Sequence, residues 1–84
     1  METIIIDDEI KSIELLEFYL NEYFSDFVIT GKYTDPKEGL KALLKTPPKV
    51  LFLDINMPAI SGIELLEKIQ HLNVLTIFLT AHPQ

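Results

Sequence analysis

Cysteine is absent from this 84-residue sequence, and its absence excludes several kinds of protein chemistry. Without thiols the chain has no disulfide framework, no thiolate zinc site and no cysteine nucleophile. The absence also fits the reducing cytoplasm, where structural disulfides are rare. The sequence therefore predicts a cytoplasmic domain that works without thiol chemistry.

Arginine is absent as well, and the seven basic residues are lysines scattered along a chain whose formal net charge is −6. Proteins that bind nucleic acid usually carry a basic patch or stripe. We therefore expect no direct nucleic-acid contact from these residues. The acidic balance is ordinary for a soluble domain, and it also suits a cation ligand or a basic partner surface.

Long hydrophobic runs are missing too. The run Ile4-Ile5-Ile6 is too short for a membrane span or a signal peptide, and Met1-Glu2-Thr3 supplies no positive region before it. We predict a single soluble domain over residues 1–84, with no membrane partner. A domain this small buries a modest fraction of its surface, so its stability margin is thin.

The most informative stretch runs from Lys49 to Pro58, with the sequence KVLFLDINMP. A short apolar run bounded by prolines is typical of a strand that is buried on both faces of a sheet. Asp54 ends this strand, at the rim where open α/β sheets bind their ligands. Aspartate also favours turns, so Asp54 taken alone could simply begin one.

The rest of the chain alternates between strand-like and helix-like patterns. We predict strands over 3–6, 27–30 (extending at most to residue 33), 50–53 and 74–79. We predict helices over 9–24, from 36 to about 45, and from 62 to 72. Two capping boxes mark helix starts, Asp35 to Glu38 and Ser61 to Glu64. The expected buried helix positions are Ile10, Ile13, Leu16, Leu20 and Phe24, then Leu40, Leu43 and Leu44, then Ile63, Leu65, Leu66, Ile69 and Leu72.

The order β-α-β-α-β-α-β predicts a parallel sheet with helices on both faces. Parallel strands end at one edge, so Asp7, Asp8, Asp54 and Thr80 are expected to meet there. Each has a simpler interpretation: Asp7 or Asp8 could cap the first helix, and Thr80 could be an ordinary strand residue. If all the simpler interpretations held, polar residues suited to one site would stand at three strand ends by coincidence.

Clustered carboxylates repel one another unless protons or a cation join them. Oxygen ligands that leave room for several waters suit Mg²⁺. A carboxylate beside Mg²⁺ can accept a phosphoryl group, so Asp54 is a candidate nucleophile and Thr80 a candidate hydroxyl beside it. His71 is expected to be exposed near a helix end, and His82 could approach the rim; neither is favoured as a metal ligand.

Three motifs resemble those of the receiver domains of two-component response regulators. They are IIIDDE over residues 4–9, LFLDINMP over residues 51–58 followed by Ser61-Gly62, and FLTA over residues 78–81. The resemblance covers the whole chain. It implies a flavodoxin-like three-layer α/β/α fold with strand order 2-1-3-4.

The same resemblance implies a role for each site residue. Asp54 would be phosphorylated by a partner sensor histidine kinase, and Thr80 would be the switch hydroxyl. Asp8, Asp54 and the backbone carbonyl of Asn56 would bind Mg²⁺ directly, with Asp7 acting through water. The N–H groups of Asn56 and Ala81 would face the phosphoryl group, and the side chains of Asn56 and His82 would tune its lifetime.

The segment from Asp54 to Glu64 also resembles receivers attached to a LytTR-type DNA-binding domain, so the output domain is expected outside this chain. Relative to a full receiver, the sequence is expected to lack the last helix, strand and helix, and with them a lysine that contacts the phosphoryl group. Lys45, Lys49 and Lys68 are misplaced to replace it. Phosphorylation and switching by this chain are therefore open to test.

The same expectation leaves strand Val74–Leu79 as an apolar sheet edge and uncovers part of helix Ile10–Phe24, with Phe18, Tyr19 or Tyr23 exposed. Such surfaces invite pairing with another chain. We therefore predict self-association through this strand, this helix or both.

Two other functions compete with the phosphoacceptor. The chain could be an interaction fragment that is not phosphorylated. It could also be a Mg²⁺-dependent phosphohydrolase that resembles the haloacid-dehalogenase-like phosphatases. Those enzymes place a second aspartate two residues after the nucleophile, and the residue there is Asn56, which cannot act as their general acid.

Overall fold

The computed structural model describes residues 1–79, which form one parallel sheet and three helices. The elements in chain order are β1 (Glu2–Ile6), α1 (Ile10–Tyr23), β2 (Val28–Tyr33), α2 (Pro36–Lys45), β3 (Val50–Asp54), α3 (Gly62–Ile69) and β4 (Leu75–Leu79). The sheet order is β2-β1-β3-β4, and every neighbouring pair is parallel. The predicted flavodoxin-like topology of order 2-1-3-4 is confirmed.

Alternating residues of the central strands supply two separate cores. Ile4 and Ile6 of β1 face α2 and α3, together with Leu51 and Leu53 of β3. Ile5 faces α1 on the other side of the sheet, and Val50 and Phe52 of β3 belong to the same cluster. Because side chains alternate along a strand, two strands feed both layers, which makes the three-layer arrangement.

Both central strands are buried on both faces, as their unbroken apolar sequences predict. Ile5, Ile6, Leu51 and Leu53 are completely buried. Burying one such side chain contributes about 1.5–3 kcal/mol. The two strands that end in aspartates are therefore the most firmly held part of the domain.

The helices bury narrower stripes than the sequence predicts. Ile13 and Leu20 are buried in α1, but Ile10 and Phe24 are exposed at its two ends. Leu44 of α2 and Ile63 of α3 are exposed as well. These four predictions of burial were wrong, because the described fold packs nothing over the flanks of the helices. Sequence periodicity identifies every apolar residue on one side of a helix, but it does not distinguish residues at the buried centre of that side from residues at its exposed flanks.

Element boundaries differ from the predicted ones by a few residues. Strand β1 begins at Glu2, β2 begins at Val28 and reaches Tyr33, and β4 begins at Leu75. Helix α3 ends at Ile69, so Leu72 lies beyond it rather than within it. Leu72 still packs against the core from the following turn. Because Leu72 is apolar and packed just after the end of the helix, it continues the helical spacing in the sequence and makes the helix look longer than it is.

The second and third helices start with different caps. Ser61 accepts a hydrogen bond from the Glu64 N–H at 3.1 Å, and Glu64 accepts one from the Ser61 N–H, so this capping box is confirmed. Asp35 caps α2 through the N–H of Lys37. Glu38 instead pairs with Lys41, so the reciprocal half of the first predicted box was wrong.

Within residues 1–79 no helix is long and apolar enough to cross a bilayer.

Candidate functional site

Three aspartates meet at the carboxyl ends of β1 and β3. Each of Asp7, Asp8 and Asp54 offers a carboxylate oxygen, and these oxygens all lie within 4.8 Å of one another. Asp7 and Asp54 are each only 5% exposed, whereas Asp8 is exposed. The predicted convergence of these three residues is therefore present, and parallel pairing of β1 with β3 produces it.

Backbone N–H groups hold the two buried carboxylates in place. Asp54 accepts a hydrogen bond from the N–H of Asn56 at 3.1 Å, and Asp7 accepts one from the N–H of Glu9 at 2.9 Å. Asp54 thus begins a turn while its side chain belongs to the cluster, so both interpretations of this residue apply. Neither Asp7 nor Asp8 caps α1, whose N-cap is Glu9 without a side-chain cap.

Burial and crowding raise the pKa values of both buried aspartates. Desolvation, together with the neighbouring Asp8 and Asp7, raises the pKa of Asp54 to about 6, although the Asn56 N–H acts against the shift. Desolvation also raises the pKa of Asp7, with the charge of Asp8 adding to it and the Glu9 N–H opposing it. The cluster thus concentrates negative charge that a proton or a cation can neutralise.

These shifts predict a pH dependence for the metal-free protein. An aspartate whose pKa is higher in the folded chain binds its proton more tightly when folded, so its stabilisation is present at low pH and is lost as pH rises through about 6. We expect the free energy of unfolding in EDTA to fall by about 2 kcal/mol between pH 4 and pH 7 from this cause. Urea denaturation at several pH values measures it.

A matched variant isolates this contribution from the other carboxylates. Only the raised pKa of Asp7 remains in Asp54→Asn, so the stability of this variant should fall less through pH 6 and the difference between the two proteins should change with pH. A constant difference across the range would contradict the assigned role of Asp54.

The donor set of the cluster fits a hard divalent cation. Its ligand atoms are all carboxylate oxygens, one of the three side chains is solvent-exposed, and the crowded charge favours a counter-ion. Mg²⁺ prefers oxygen ligands and keeps several waters, which the exposed side of the cluster can supply. Within residues 1–79 the two ion pairs lie elsewhere, between Lys32 and Glu17 and between Lys41 and Glu38.

Glycine at the start of α3 lets this helix approach the end of strand β3 closely. A Cβ at Gly62 would lie 2.6 Å from the backbone oxygen of Asp54 and 2.9 Å from the Cα of Ile55. The Gly62 N–H also donates to the Ile55 carbonyl at 2.8 Å. The sequence marked Ser61-Gly62 as a helix start, but this close approach was not foreseen, because it depends on tertiary packing.

An open groove of about 260 Å³ leads away from the cluster between α1 and β4. Ser12, Tyr19 and Leu79 line it together with Asp7 and Asp54. No motif in the sequence points to Ser12 as a site residue. The one feature of the sequence that could have pointed to Ser12 is its position in the first turn of α1, on the side that lines the groove.

The other predicted site residues have mixed outcomes. Asn56 is exposed beside the cluster, and whether its carbonyl binds a metal stays a prediction. His71 is exposed, as expected. Thr80, Ala81 and His82 lie outside the described residues.

Comparison with known proteins identifies the family. Residues 3–84 match the response regulator receiver domain. The chain belongs to this family. As a receiver domain it falls in a class whose members generally signal rather than catalyse.

Two relatives and one solved structure illustrate the similarity. The transcriptional regulatory protein BtsR of Escherichia coli K12 is 45% identical over 65 residues, which are 77% of this chain and 27% of BtsR. The transcriptional regulatory protein LytR of Staphylococcus aureus N315 is 40% identical over an 86-residue alignment that covers 100% of this chain and 35% of LytR. The receiver chain thus spans about a third or less of these relatives.

The response regulatory domain of MrkE from Klebsiella pneumoniae superposes with a TM-score of 0.86 at 30% identity. The match covers 100% of this receiver chain and 70% of that domain.

Proposed function

We propose that residues 1–84 act as one phosphoacceptor module of a two-component system, in which Asp54 receives a phosphoryl group from a sensor histidine kinase. The observation that supports this best is the cluster of three carboxylates within 4.8 Å at the ends of β1 and β3. Membership in the receiver family supports the same role.

The proposed reaction is a transfer between two side chains. A carboxylate oxygen of Asp54 attacks the phosphorus of the kinase phosphohistidine; the new P–O bond forms as the P–N bond breaks, and the leaving imidazole keeps the electron pair and takes up a proton. Because its pKa is about 6, Asp54 is mostly ionised at neutral pH and has a lone pair for this attack.

The chain's own residues would orient the reaction. The Asn56 N–H fixes one Asp54 oxygen by a hydrogen bond, so the other oxygen would be the one that attacks. Asp8 and Asp54, with the Asn56 carbonyl, would hold Mg²⁺, and Asp7 would act through water. Bound Mg²⁺ would supply positive charge against the phosphoryl oxygens. Thr80 and the N–H of Ala81 are proposed to contact the phosphoryl group after transfer.

The output of the module is proposed to lie outside this chain. The relatives BtsR and LytR are named transcriptional regulatory proteins. The matched segments make up only 27% of BtsR and 35% of LytR. An acidic chain without arginine is unsuited to contact DNA itself, so we propose that a further domain, of LytTR type, does so in the cytoplasm. On this proposal the chain catalyses at most its own phosphorylation and dephosphorylation.

Beryllofluoride, which mimics an aspartyl phosphate, provides the test. Adding it with Mg²⁺ should shift the amide NMR signals around Asp54 and Thr80, and Asp54→Asn should abolish the shifts. Asp35→Asn is a matched control, since Asp35 is an exposed carboxylate that caps α2 and asparagine caps equally well. Its spectrum should respond as the wild type does.

One alternative has a specific observation in its favour. No lysine is among the charges that shift the pKa of Asp54, so in residues 1–79 the cluster lacks a cationic partner for a phosphoryl group. An interaction fragment that is never phosphorylated would have such a site. A folded protein whose spectrum ignores beryllofluoride and Mg²⁺ would favour this alternative over our proposal.

A further inference from the structure

Charge is distributed unevenly along this acidic chain. Residues 32–49 contain five of the seven lysines and two of the thirteen acidic residues, so this segment has a formal charge of +3. The rest of the chain has two lysines and eleven acidic residues, which give −9. Helix α2 lies within the basic segment and contacts β2, β1 and α3, at the end of the sheet away from β4. The basic residues therefore belong to one region of the surface.

Three of these lysines form a row along the exposed face of α2. Lys37, Lys41 and Lys45 are spaced four residues apart, and all three are exposed. Residues four apart on a helix lie on the same face about 6 Å apart, so the row is about 12 Å long. The opposite side of α2 is buried against the sheet through Gly39 and Leu43. These three lysines are called the lysine row below.

The lysine row opposes the stability of its own helix. Like charges four residues apart repel each other, and the row contains two such pairs. The helix dipole favours Lys45 in the last turn but disfavours Lys37 in the first. Glu38 offsets part of the repulsion through an exposed ion pair with Lys41 at 3.2 Å. Within residues 1–79 neither Lys37 nor Lys45 takes part in an ion pair. Charges that a helix keeps against its own stability are expected to serve binding.

An exposed apolar side chain adjoins the lysine row. Leu44 is 49% exposed, and it lies three residues after Lys41 and directly before Lys45. Residues three apart are neighbours on a helix surface, so a partner that reaches the lysines also reaches Leu44. Covering Leu44 with an apolar side chain would add hydrophobic stabilisation to the ion pairs. This combination fits an amphipathic acidic protein segment better than a phosphate backbone, which presents charge but no apolar side chain.

We infer that the lysine row binds an acidic helix of a partner protein, with carboxylates four residues apart and an apolar residue beside them against Leu44. Two helices that lie side by side repeat at the same interval of about 6 Å, so three carboxylates can pair with three lysines in register. The net charge of −6 repels an extended polyanion such as DNA, whereas a short partner helix meets only the basic region.

This surface is separate from the proposed phosphoacceptor site. No lysine is among the charges that shift the pKa values of Asp7 and Asp54. The inference therefore does not rest on phosphorylation of the chain, and each proposal can fail without the other.

A synthetic helical peptide of about 20 residues is the probe, since shorter helices are marginal in water. It carries three glutamates at four-residue spacing and a leucine beside them. Titrating it should shift the amide NMR signals of the 84-residue protein from Lys37 to Thr46. Exposed ion pairs are weak, so we expect a dissociation constant on the order of 0.1 mM at low salt.

A matched peptide with glutamines in place of the three glutamates measures the contribution of charge. It should bind at least about tenfold more weakly than the glutamate peptide at low salt. Salt at about 0.5 M should remove most of this difference, because it screens exposed ion pairs.

Two single neutralisations separate the lysine row from the general charge of its segment. Lys45→Gln removes one member of the row, and Lys49→Gln removes an exposed lysine that lies outside the helix. Lys45→Gln should weaken binding of the glutamate peptide about threefold, and Lys49→Gln should leave it unchanged. Both variants should respond to beryllofluoride and Mg²⁺ as the wild type does.

Lys37→Glu tests whether the row is kept against stability. The change removes a like-charge pair with Lys41, replaces it with an opposite-charge pair and places a negative charge in the first turn. The Tm of the free protein should therefore rise by about 3 °C. Binding of the glutamate peptide should fall at least about tenfold. A lower Tm in this variant would contradict the cost on which the inference rests.

Three results of the titrations would overturn the inference. Equal binding of the glutamate and glutamine peptides would mean that the lysine row does not recognise carboxylates. Shifts that map to another surface, or that persist unchanged in Lys45→Gln and Lys37→Glu, would place the acidic helix elsewhere. A DNA duplex that binds the row more tightly than the glutamate peptide would assign this surface to a phosphate backbone.

Discussion

Asp54→Asn is expected to stabilise the metal-free protein while it removes the proposed phosphoacceptor. Burial and two neighbouring carboxylates raise the pKa of Asp54 to about 6, so its ionised form at pH 7 opposes folding. Asparagine keeps an oxygen for the Asn56 N–H and brings donors toward the remaining carboxylates. We expect the free energy of unfolding at pH 7 to rise by about 2 kcal/mol. Urea denaturation in EDTA measures this change.

Mg²⁺ should then reverse the order of the two proteins. A ligand that binds only the folded state stabilises it by about 3 kcal/mol at a hundredfold excess over its dissociation constant. The wild type should gain this stabilisation and Asp54→Asn should not. Asp35→Asn, at an exposed helix cap, should follow the wild type with and without the ion. An Asp54→Asn protein that is less stable than the wild type in EDTA would contradict the proposed crowding of charge.

Gly62→Ala is expected to lower both stability and site function. Alanine has the higher helix propensity by about 1 kcal/mol, so an exposed helix position would gain from the change. At Gly62, however, the new Cβ would meet the backbone of Asp54 and Ile55 at 2.6 and 2.9 Å. Backbone atoms beside a buried strand cannot move aside cheaply, so we expect a net loss of about 2–3 kcal/mol.

The functional consequence follows from where the displacement occurs. The atoms that must move belong to Asp54 and Ile55, so the carboxylate should shift relative to Asp7 and Asp8 and beryllofluoride should bind more weakly. Gly31→Ala is the matched control, because its Cβ would meet the ring of Tyr33 at 2.8 Å, and a ring at the sheet edge can rotate. Thermal unfolding and a beryllofluoride titration compare the two variants; equal behaviour would mean that the approach at Gly62 is not tight.

The predictable parts of this protein are those that a local pattern specifies. The unbroken apolar runs before Asp7 and Asp54 predicted two strands buried on both faces, and the alternation of strands with helices predicted their parallel pairing and the convergence of Asp7, Asp8 and Asp54. The Ser61 capping box was equally local, and the structure has it. Each of these inferences needs only a few consecutive residues and one rule of topology.

The features that could not be predicted depend on which parts of the folded chain pack against each other. Ile10 and Leu44 fall on apolar helix faces but are exposed, because the described fold packs nothing over those flanks. Gly62 looks like an ordinary first residue of a helix, and only the packed structure shows the backbone it approaches. The groove beside Ser12 is likewise a product of how α1 lies relative to β4.

The adjacency of β1 and β3 also affects how the protein folds. Asp7 and Asp54 are distant in sequence, and they meet only when these parallel strands pair, after the loop containing α1, β2 and α2 has closed. We expect distant parallel strands to pair late in folding. The entropy cost of closing the loop between them must be met before the contacts between the strands add any stability. We therefore expect the acidic cluster to form only once these two strands have paired. A cation that binds it should slow unfolding and leave the folding rate almost unchanged.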